Sequence, residues 1–214
     1  MKVLELFSGT RSVGKICDEL GWESVSVDLL LPADHQCDIM DFDYKQYPKD
    51  YFGIVWASPM CTFYSNLQNC WLGRKKKDGI LVTKELIEEK RKESDKLILK
   101  TLEIIDYFNP KHYLIENPQT GTLKNQDFMK KFNFYDVDYC KYGHPIRKRT
   151  RIWTNLVGFD PRICKRDCDS LQADGKHLSF SRMNIKGVNR LHLRYQIPPE
   201  LIRDLFIEII SNDM

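Results

Sequence analysis

At 214 residues, with 42% hydrophobic and 29% charged residues, the chain is long enough to bury one sizeable core and has the make-up of an ordinary soluble domain. No apolar run reaches the roughly 18 residues that a membrane helix needs, and seven cysteines in a chain unlike a small secreted scaffold favour a reducing compartment, cytoplasm or nucleus, over a disulfide framework. The net charge of +3 is too mild to name a partner, but Arg74–Lys77 and Arg147–Arg151 concentrate basic residues, either as patches for an acidic partner or as solvated loops.

Lys2-Val-Leu-Glu-Leu-Phe7 reads as a buried strand, so no signal peptide is expected ahead of it. Ser8-Gly-Thr-Arg-Ser-Val-Gly14 follows as a Gly-containing turn, with Gly9 and Gly14 expected to let the backbone bend. Val13, Ile16, Cys17 and Leu20 then recur at helical spacing up to Gly21. Strand, Gly-containing turn and helix together bring backbone N–H groups up to a nucleotide-like ligand. Glu23–Asp28 is the next strand; a carboxylate at its end suits two ribose hydroxyls, or equally a helix cap.

An acid-rich loop, Asp34–Asp43, leads to the apolar run Tyr51–Trp56, and Pro59 stops that strand because it has no N–H to donate. Cys61 therefore lies in a turn beyond a strand's carboxyl end, where an open α/β sheet collects its ligands. It is either a nucleophile or a small packing residue. Residues 66–82 read as a polar loop, and about Lys84 to Phe108 as one long helix or two, with Leu97, Ile98, Leu102, Ile105 and Phe108 as its apolar stripe and Asn109-Pro110 as its stop. His112–Glu116 is a buried strand ending on another carboxylate; Phe134–Cys140 and Arg151–Asn155 are further strands. Periodicity lapses over 158–190, and Pro198-Pro199 opens a last helix with a stripe of Leu201, Ile202, Leu205, Phe206, Ile209 and Ile210. Strands alternating with helices argue for an α/β fold with a doubly wound, mostly parallel, Rossmann-like sheet. Ser8–Gly14, Asp28, Cys61 and Glu116 then share one rim.

In this order the motifs resemble those of the cytosine C5-specific DNA methyltransferases. Phe7-Ser-Gly-Thr resembles the family's opening Phe-x-Gly, and Asp28 the acid after its second strand. Asp38-Ile39 resembles the acid that reads the adenine amino group, and Ser58-Pro-Met-Cys61 the Pro-Pro-Cys nucleophile motif. Glu116-Asn117 resembles Glu-Asn-Val, and Arg149-Thr-Arg151 resembles Arg-x-Arg after a Gly-x-Pro turn, here Gly143-His-Pro145. The resemblance spans 2–155. It implies S-adenosylmethionine as cofactor, held by Phe7, Ser8, Gly9, Thr10, Arg11, Ser12, Asp28, Leu29, Asp38, Ile39, Ser58 and Pro59. It implies Cys61 as the nucleophile that adds to C6 of cytosine. Glu116 would then serve the ring N3 in a protonated state that burial favours, and Arg149 and Arg151 would hold the base carbonyl and the backbone. Nearby arginines and helix ends are expected to raise the thiolate fraction of Cys61. A base within duplex DNA reaches such a pocket only by flipping out. Ser65, Arg74, Lys75, Lys76, Lys77, Asn117 and Arg147 are the expected nucleic-acid contacts.

Met60, Arg11 and Pro118 depart from the family's usual residues, and Arg194-Tyr-Gln-Ile-Pro198 stands where its last motif is expected. Arg11 is expected near the cofactor's carboxylate or filling the turn. The organisation implied is a catalytic domain of residues 1–155 plus 196–214, with 156–195 as a small irregular insertion in place of the family's long target-recognition region. Target reading would be minimal or helped by a partner protein. RNA or a free cytosine nucleotide as substrate, or a methyltransferase-like binding module without activity, are the alternatives. Cys140, Cys164, Cys168 and His177 form a ligand set that suits structural zinc, or are unrelated thiols in a reducing cell.

Overall fold

A computed structural model of the chain describes residues 1–76, 78–178 and 190–214. Among them, seven strands form one sheet in the order β3-β2-β1-β4-β5-β7-β6. They are β1 (Lys2–Leu6), β2 (Glu23–Asp28), β3 (His35–Gln36), β4 (Ile54–Ala57), β5 (His112–Pro118), β6 (Phe134–Asp138) and β7 (Arg149–Thr154). The first five are parallel; β7 runs antiparallel to both β5 and β6. β1 and β4 lie between neighbours and are buried on both faces, as their unbroken apolar runs require. The strand expected over 51–56 is shorter and later, because Tyr51 and Phe52 pack as an aromatic cluster with Tyr47 instead of joining the ladder.

Helices cover both faces. α1 (Ser12–Leu20) and α4 (Pro199–Asp213) pack on one side, burying Val13, Ile16, Leu201, Leu205 and Phe206 against Trp56, Leu114 and Ile152. α2 (Lys84–Phe108) is a single helix on the other side. Its Thr83 cap accepts Leu86 N at 3.2 Å, and Asn109 ends it in the left-handed conformation. Its buried face is wider than the expected stripe, since Ile87, Ser94, Thr101 and Ile104 join Ile98 and Phe108 while Leu97, Leu102 and Ile105 are half-buried. On α4, Ile210 lies outside the buried stripe. A short α3 (Arg190–Tyr195) precedes α4. No helix among the described residues is long and apolar enough to cross a membrane.

Because the five parallel strands share a direction, their carboxyl ends share one rim. The turn after β1, Asp28 at the end of β2 and Cys61 after β4 all sit there, while Glu116 lies within β5, one residue beyond the Ala57–Ile115 pair.

Candidate active site

The turn after β1 is bent at three places. Phe7, Gly9 and Arg11 all have left-handed backbones, with φ of 57°, 53° and 53°. Such angles are costly for Phe and Arg and persist only where the surroundings impose them. Two carboxylates do so here. Asp28 Oδ2 accepts Gly9 N at 2.8 Å while its Oδ1 accepts Leu30 and Leu31 N. Glu5, buried in β1, accepts Val13 and Gly14 N at 3.1 and 2.9 Å, closing the N-terminus of α1. Burial raises Glu5 to about 7 against the pull of those two amides. Gly14 is therefore not a turn residue. It is helical, and a Cβ there would lie 3.0 Å from the Arg11 guanidinium.

That guanidinium runs back over Gly14 to Ser24 Oγ, at 3.2 Å, and to Asp18. The Arg11 side chain thus belongs to the α1–β2 seam, and only its backbone shapes the turn. Ser8 Oγ is buried without a hydrogen-bond partner among the described residues, the kind of orphaned group a ligand satisfies. Thr10 Oγ1 and Ser12 Oγ lie 3.1 Å apart, and Ser12 Oγ also accepts Ile197 N at 3.1 Å. The 195–198 segment consequently lies over the turn, with Tyr195 Cβ 3.8 Å from where a Cβ on Gly9 would project. Asp38 Oδ1 accepts Met40 N at 2.9 Å beside buried Ile39, Leu29 is exposed, and Ser58 N bonds Leu6 O at 3.1 Å.

Cys61 heads a 3-10 turn, Thr62–Tyr64, and is half-buried. Its loop is held from β5, where the buried Asn117 donates Nδ2 to Pro59 O at 2.9 Å. Asn117 is thereby withdrawn from the surface, and its Oδ1 has no hydrogen-bond partner among the described residues. Burial pushes the Cys61 thiol up; the Glu116 charge pushes it further, and Lys148 and Arg194 pull it down. The expected gain in thiolate from nearby cations is thus outweighed in the free protein.

Glu116 is buried, and its Oε1 accepts the Tyr139 hydroxyl at 3.0 Å and Lys148 Nζ at 3.1 Å. The cation at Glu116 is Lys148, not Arg149 or Arg151. Pleat alternation decides this: Glu116 pairs with Ile152 across β5–β7, so residues of Ile152's parity share its face and Arg151 points to the other. Arg151 makes a two-pronged pair with Asp136, at 2.7 and 2.8 Å, beneath the Phe134 ring, and Arg149 is exposed. Arg147, expected on nucleic acid, donates instead to buried Asp138 at 2.9 Å. Parity counted back from the apolar Ile152 points to Lys148; nothing in the sequence marked Tyr139, Asp138 or Glu5.

The segment after Cys61 is built, not loose. Ser65 Oγ caps a 3-10 helix, Asn66–Trp71, and a tight arm pairs Gly73 and Arg74 with Val82. Arg74, Lys75 and Lys76 are exposed on it, and Arg74 lies over the Trp71 ring. Lys77 falls outside the described residues.

Cys140, Cys164, Cys168 and His177 converge, with their ligand atoms all within 4.8 Å of one another. His177 Nε2 is 3.3 Å from Cys164 Sγ and 3.2 Å from Cys168 Sγ. Sulfur and nitrogen ligands of one tetrahedral zinc stand roughly 3.5 Å apart, from bond lengths of about 2.3 and 2.0 Å. Cys164 Sγ also accepts Arg166 N at 3.3 Å, in a turn where Arg166 has φ of 66°. Despite its burial, such amide donors hold the Cys164 thiol below its usual value, which suits a thiolate ligand.

No protein-family model matches the chain. It is 36% identical over 218 residues to a protein of Frog virus 3 (isolate Goorha) described as a probable DNA (cytosine-5)-methyltransferase, covering 96% of this chain and 98% of that one. Among solved structures it is similar to a putative DNA modification methyltransferase encoded within an E. coli prophage, with a TM-score of 0.51 and 13% identity over 77% of this chain and 52% of that one. A second similar structure is the S. pombe Dnmt2 methyltransferase, with a TM-score of 0.46, 14% identity and coverage of 78% and 52%. The chain thus spans about half the length of these solved structures, and the first of them shares its Rossmann-like methyltransferase fold.

Proposed function

The chain belongs to the DNA (cytosine-5)-methyltransferase family, and from that premise we propose that it moves the methyl group of S-adenosylmethionine to C5 of a flipped-out cytosine through a covalent adduct on Cys61. The observation that carries this is the meeting of Cys61 with Glu116 on one rim, with Asn117 bonding the nucleophile's loop to the strand that bears the acid.

Bound S-adenosylmethionine supplies an electrophilic methyl on sulfonium. The residues after β1 suit it: the bent turn of Phe7–Ser12 presents backbone groups and Ser8 Oγ, which has no partner among the described residues, with Asp28 at the end of β2 and Asp38-Ile39 just beyond β3. Cys61 gives its thiol proton to solvent, and the thiolate pair forms a bond to C6 of the cytosine ring. The C5=C6 pair moves to C4–C5 and the C4=N3 pair onto N3, which takes a proton that the Glu116 carboxylate relays from solvent. Both donors to Glu116 fall on Oε1, which leaves Oε2 for the ring in this reading. The Lys148 ammonium and the Tyr139 hydroxyl stabilise the carboxylate left behind. C5 then takes the methyl group while the broken methyl–sulfur pair stays on sulfur and N3 gives its proton back to Glu116; loss of the C5 proton to solvent and departure of Cys61 thiolate restore the ring.

The exposed arm of Arg74, Lys75 and Lys76 follows Cys61 closely enough to reach phosphates beside the flipped nucleotide. Only 156–195 separates β7 from the segment over the cofactor turn, so target reading is minimal or shared with a partner protein. The Cys140–Cys164–Cys168–His177 set holds structural zinc in this reading, stapling a region with little apolar content of its own.

The test is methyl transfer from radiolabelled S-adenosylmethionine to duplex DNA, single-stranded DNA, tRNA and cytosine nucleotides in parallel, with Cys61→Ser as control. Label at C5 of DNA cytosine, lost in Cys61→Ser, is the expected result. Label in RNA or nucleotide alone would move the substrate, and cofactor binding without transfer would leave a binding module.

A further inference from the structure

We propose that the metal in the Cys140 cluster is a clamp on the catalytic acid: by holding Cys140, Cys164, Cys168 and His177 together it keeps Tyr139 and Lys148 on Glu116, so that metal loading sets the rate of methyl transfer. This rests on the zinc reading above.

Both donors to Glu116 leave the backbone one residue from a group tied to the cluster. Tyr139 and Cys140 are consecutive in the 3-10 turn Tyr139–Tyr142; one side chain bonds Glu116 and the next enters the cluster. Lys148 follows Arg147, whose guanidinium donates to Asp138 Oδ2 at 2.9 Å, and the same oxygen accepts the backbone N–H of the ligand Cys164 at 2.8 Å. The Lys148 carbonyl accepts Tyr139 N at 3.1 Å, which joins the two donors to each other. On the far side, Leu178, next to the ligand His177, bridges to Ile146, and Ser170 Oγ donates to His144 O at 2.8 Å.

The apolar cluster around the four ligands is the three cysteines and half-buried Leu171, while Tyr139 and Tyr142 pack into the main core. So small a cluster is weak support for the ligand segment through which Lys148 and the 139–142 turn are tied, and a catalytic constellation tolerates only about 0.5 Å of error. A tetrahedral ion, whose binding free energy is folding free energy for the segment that holds it, supplies the rigidity that apolar packing here does not. The cofactor turn has its own bonds with Asp28, Glu5 and Ile197, and it reaches the cluster indirectly, through the contact of His144 Nε2 with Leu193 O at 3.2 Å. Metal loss should therefore act on the chemical step and leave cofactor binding nearly intact.

The experiment compares the zinc-loaded protein, the protein stripped by a chelator, His177→Ala, and His177→Cys, which restores a four-ligand zinc set. Zinc content, kcat and KM for S-adenosylmethionine, and amide hydrogen exchange over 138–149 and 2–28 are read on each. The expected result is one zinc per chain in the parent. Stripping or His177→Ala should lower kcat at least tenfold with KM changed less than twofold, and raise exchange tenfold or more in 138–149 but not in 2–28. His177→Cys should recover zinc, kcat and protection together. Zinc present in the parent, with kcat and exchange unchanged by its loss, overturns the clamp and spares the zinc site; no zinc in the parent overturns both. Exchange needs no turnover, so it tests the clamp even where methyl transfer itself is not seen. If His177→Ala loses protection in 2–28 as well, it has unfolded and Asp138→Asn decides. With zinc still at one per chain, a several-fold fall in kcat supports the clamp and an unchanged kcat overturns it.

Discussion

Asn117 Nδ2 and the Pro59 carbonyl, 2.9 Å apart and buried, are the direct bond between the strand that carries Glu116 and the loop that carries Cys61. Asn117→Ala leaves the carbonyl without its partner, at a cost of about 1–3 kcal/mol. The loop is then free to shift, and a misplacement near 1 Å costs on the order of a hundredfold in rate. Urea unfolding should report the first loss, and slower covalent trapping on DNA containing 5-fluorocytosine, whose adduct cannot lose a C5 proton, the second. Trapping at the parent rate would show that the loop keeps its place without the bond.

Lys148 and Arg151 separate by function. Lys148→Met removes a charged donor from Glu116 and should lower kcat by roughly ten- to a hundredfold, at or below the roughly hundredfold lower end of what an acid–base group itself contributes. Arg151→Met breaks the two-pronged pair with Asp136 and should cost about 1.5–3 kcal/mol of stability while leaving kcat per folded molecule nearly unchanged. Matched unfolding and single-turnover measurements distinguish the two; a reversed pattern would return the catalytic role to Arg151.

The Cys61 thiol is pushed up by burial first and by Glu116 second. Alkylation of Cys61 by iodoacetamide in the free protein should therefore rise with pH and reach its midpoint above the ordinary thiol value of 9.0. Glu116→Gln removes the like charge and should move that midpoint down; Lys148→Met removes an opposing cation and should move it up. An unmoved profile in both variants would mean that burial alone sets the thiol.

Glu5 titrates at about 7 in the folded chain against 4.5 for the free group. A carboxyl with a raised folded value favours folding while protonated. Its contribution is therefore fully present below about 4.5 and is lost as pH rises through about 7. The difference amounts to about 3 kcal/mol at most. Glu5→Gln should flatten that part of the stability curve, read as the gap between parent and variant at pH 5 and pH 8; a constant gap would contradict it.

Arg74, Lys75 and Lys76 are exposed on the arm after Cys61. If all three neutralise phosphates, replacing them by Ala should reduce the slope of log K against log salt for duplex DNA by up to about 2.7. S-adenosylmethionine binding, measured by calorimetry, should not change. An unaltered slope would take the arm out of the interface.

Much of this was legible in the residues. Buried strands declare themselves as apolar runs, Asn109-Pro110 ends the long helix where predicted, and Cys61 and Glu116 follow from strands whose shared direction puts their ends on one rim. The four metal-type ligands were visible as residue types, although Cys140 and Cys164 are far apart in the chain. The readings that needed revision concern local backbone bounds, as at 51–56 and Gly14, and side-chain direction, as at Arg11 and Arg151. Gly14 is helical because Glu5 accepts its amide, and Arg11 folds back because Gly14 leaves it room.

Local chemistry along the chain determines which segments become strands, where the turns fall and which residue types can do covalent chemistry. It does not determine which partner a cation takes. Arg149-Thr-Arg151 matched a motif, yet the antiparallel register of β7 against β5 turns Lys148 to the face of Glu116 and Arg151 to Asp136. Successive side chains in a strand point to opposite faces, so a single step in register exchanges the two sets. That choice belongs to the packed sheet, where Ile152 must enter the core, and only the tertiary structure makes it.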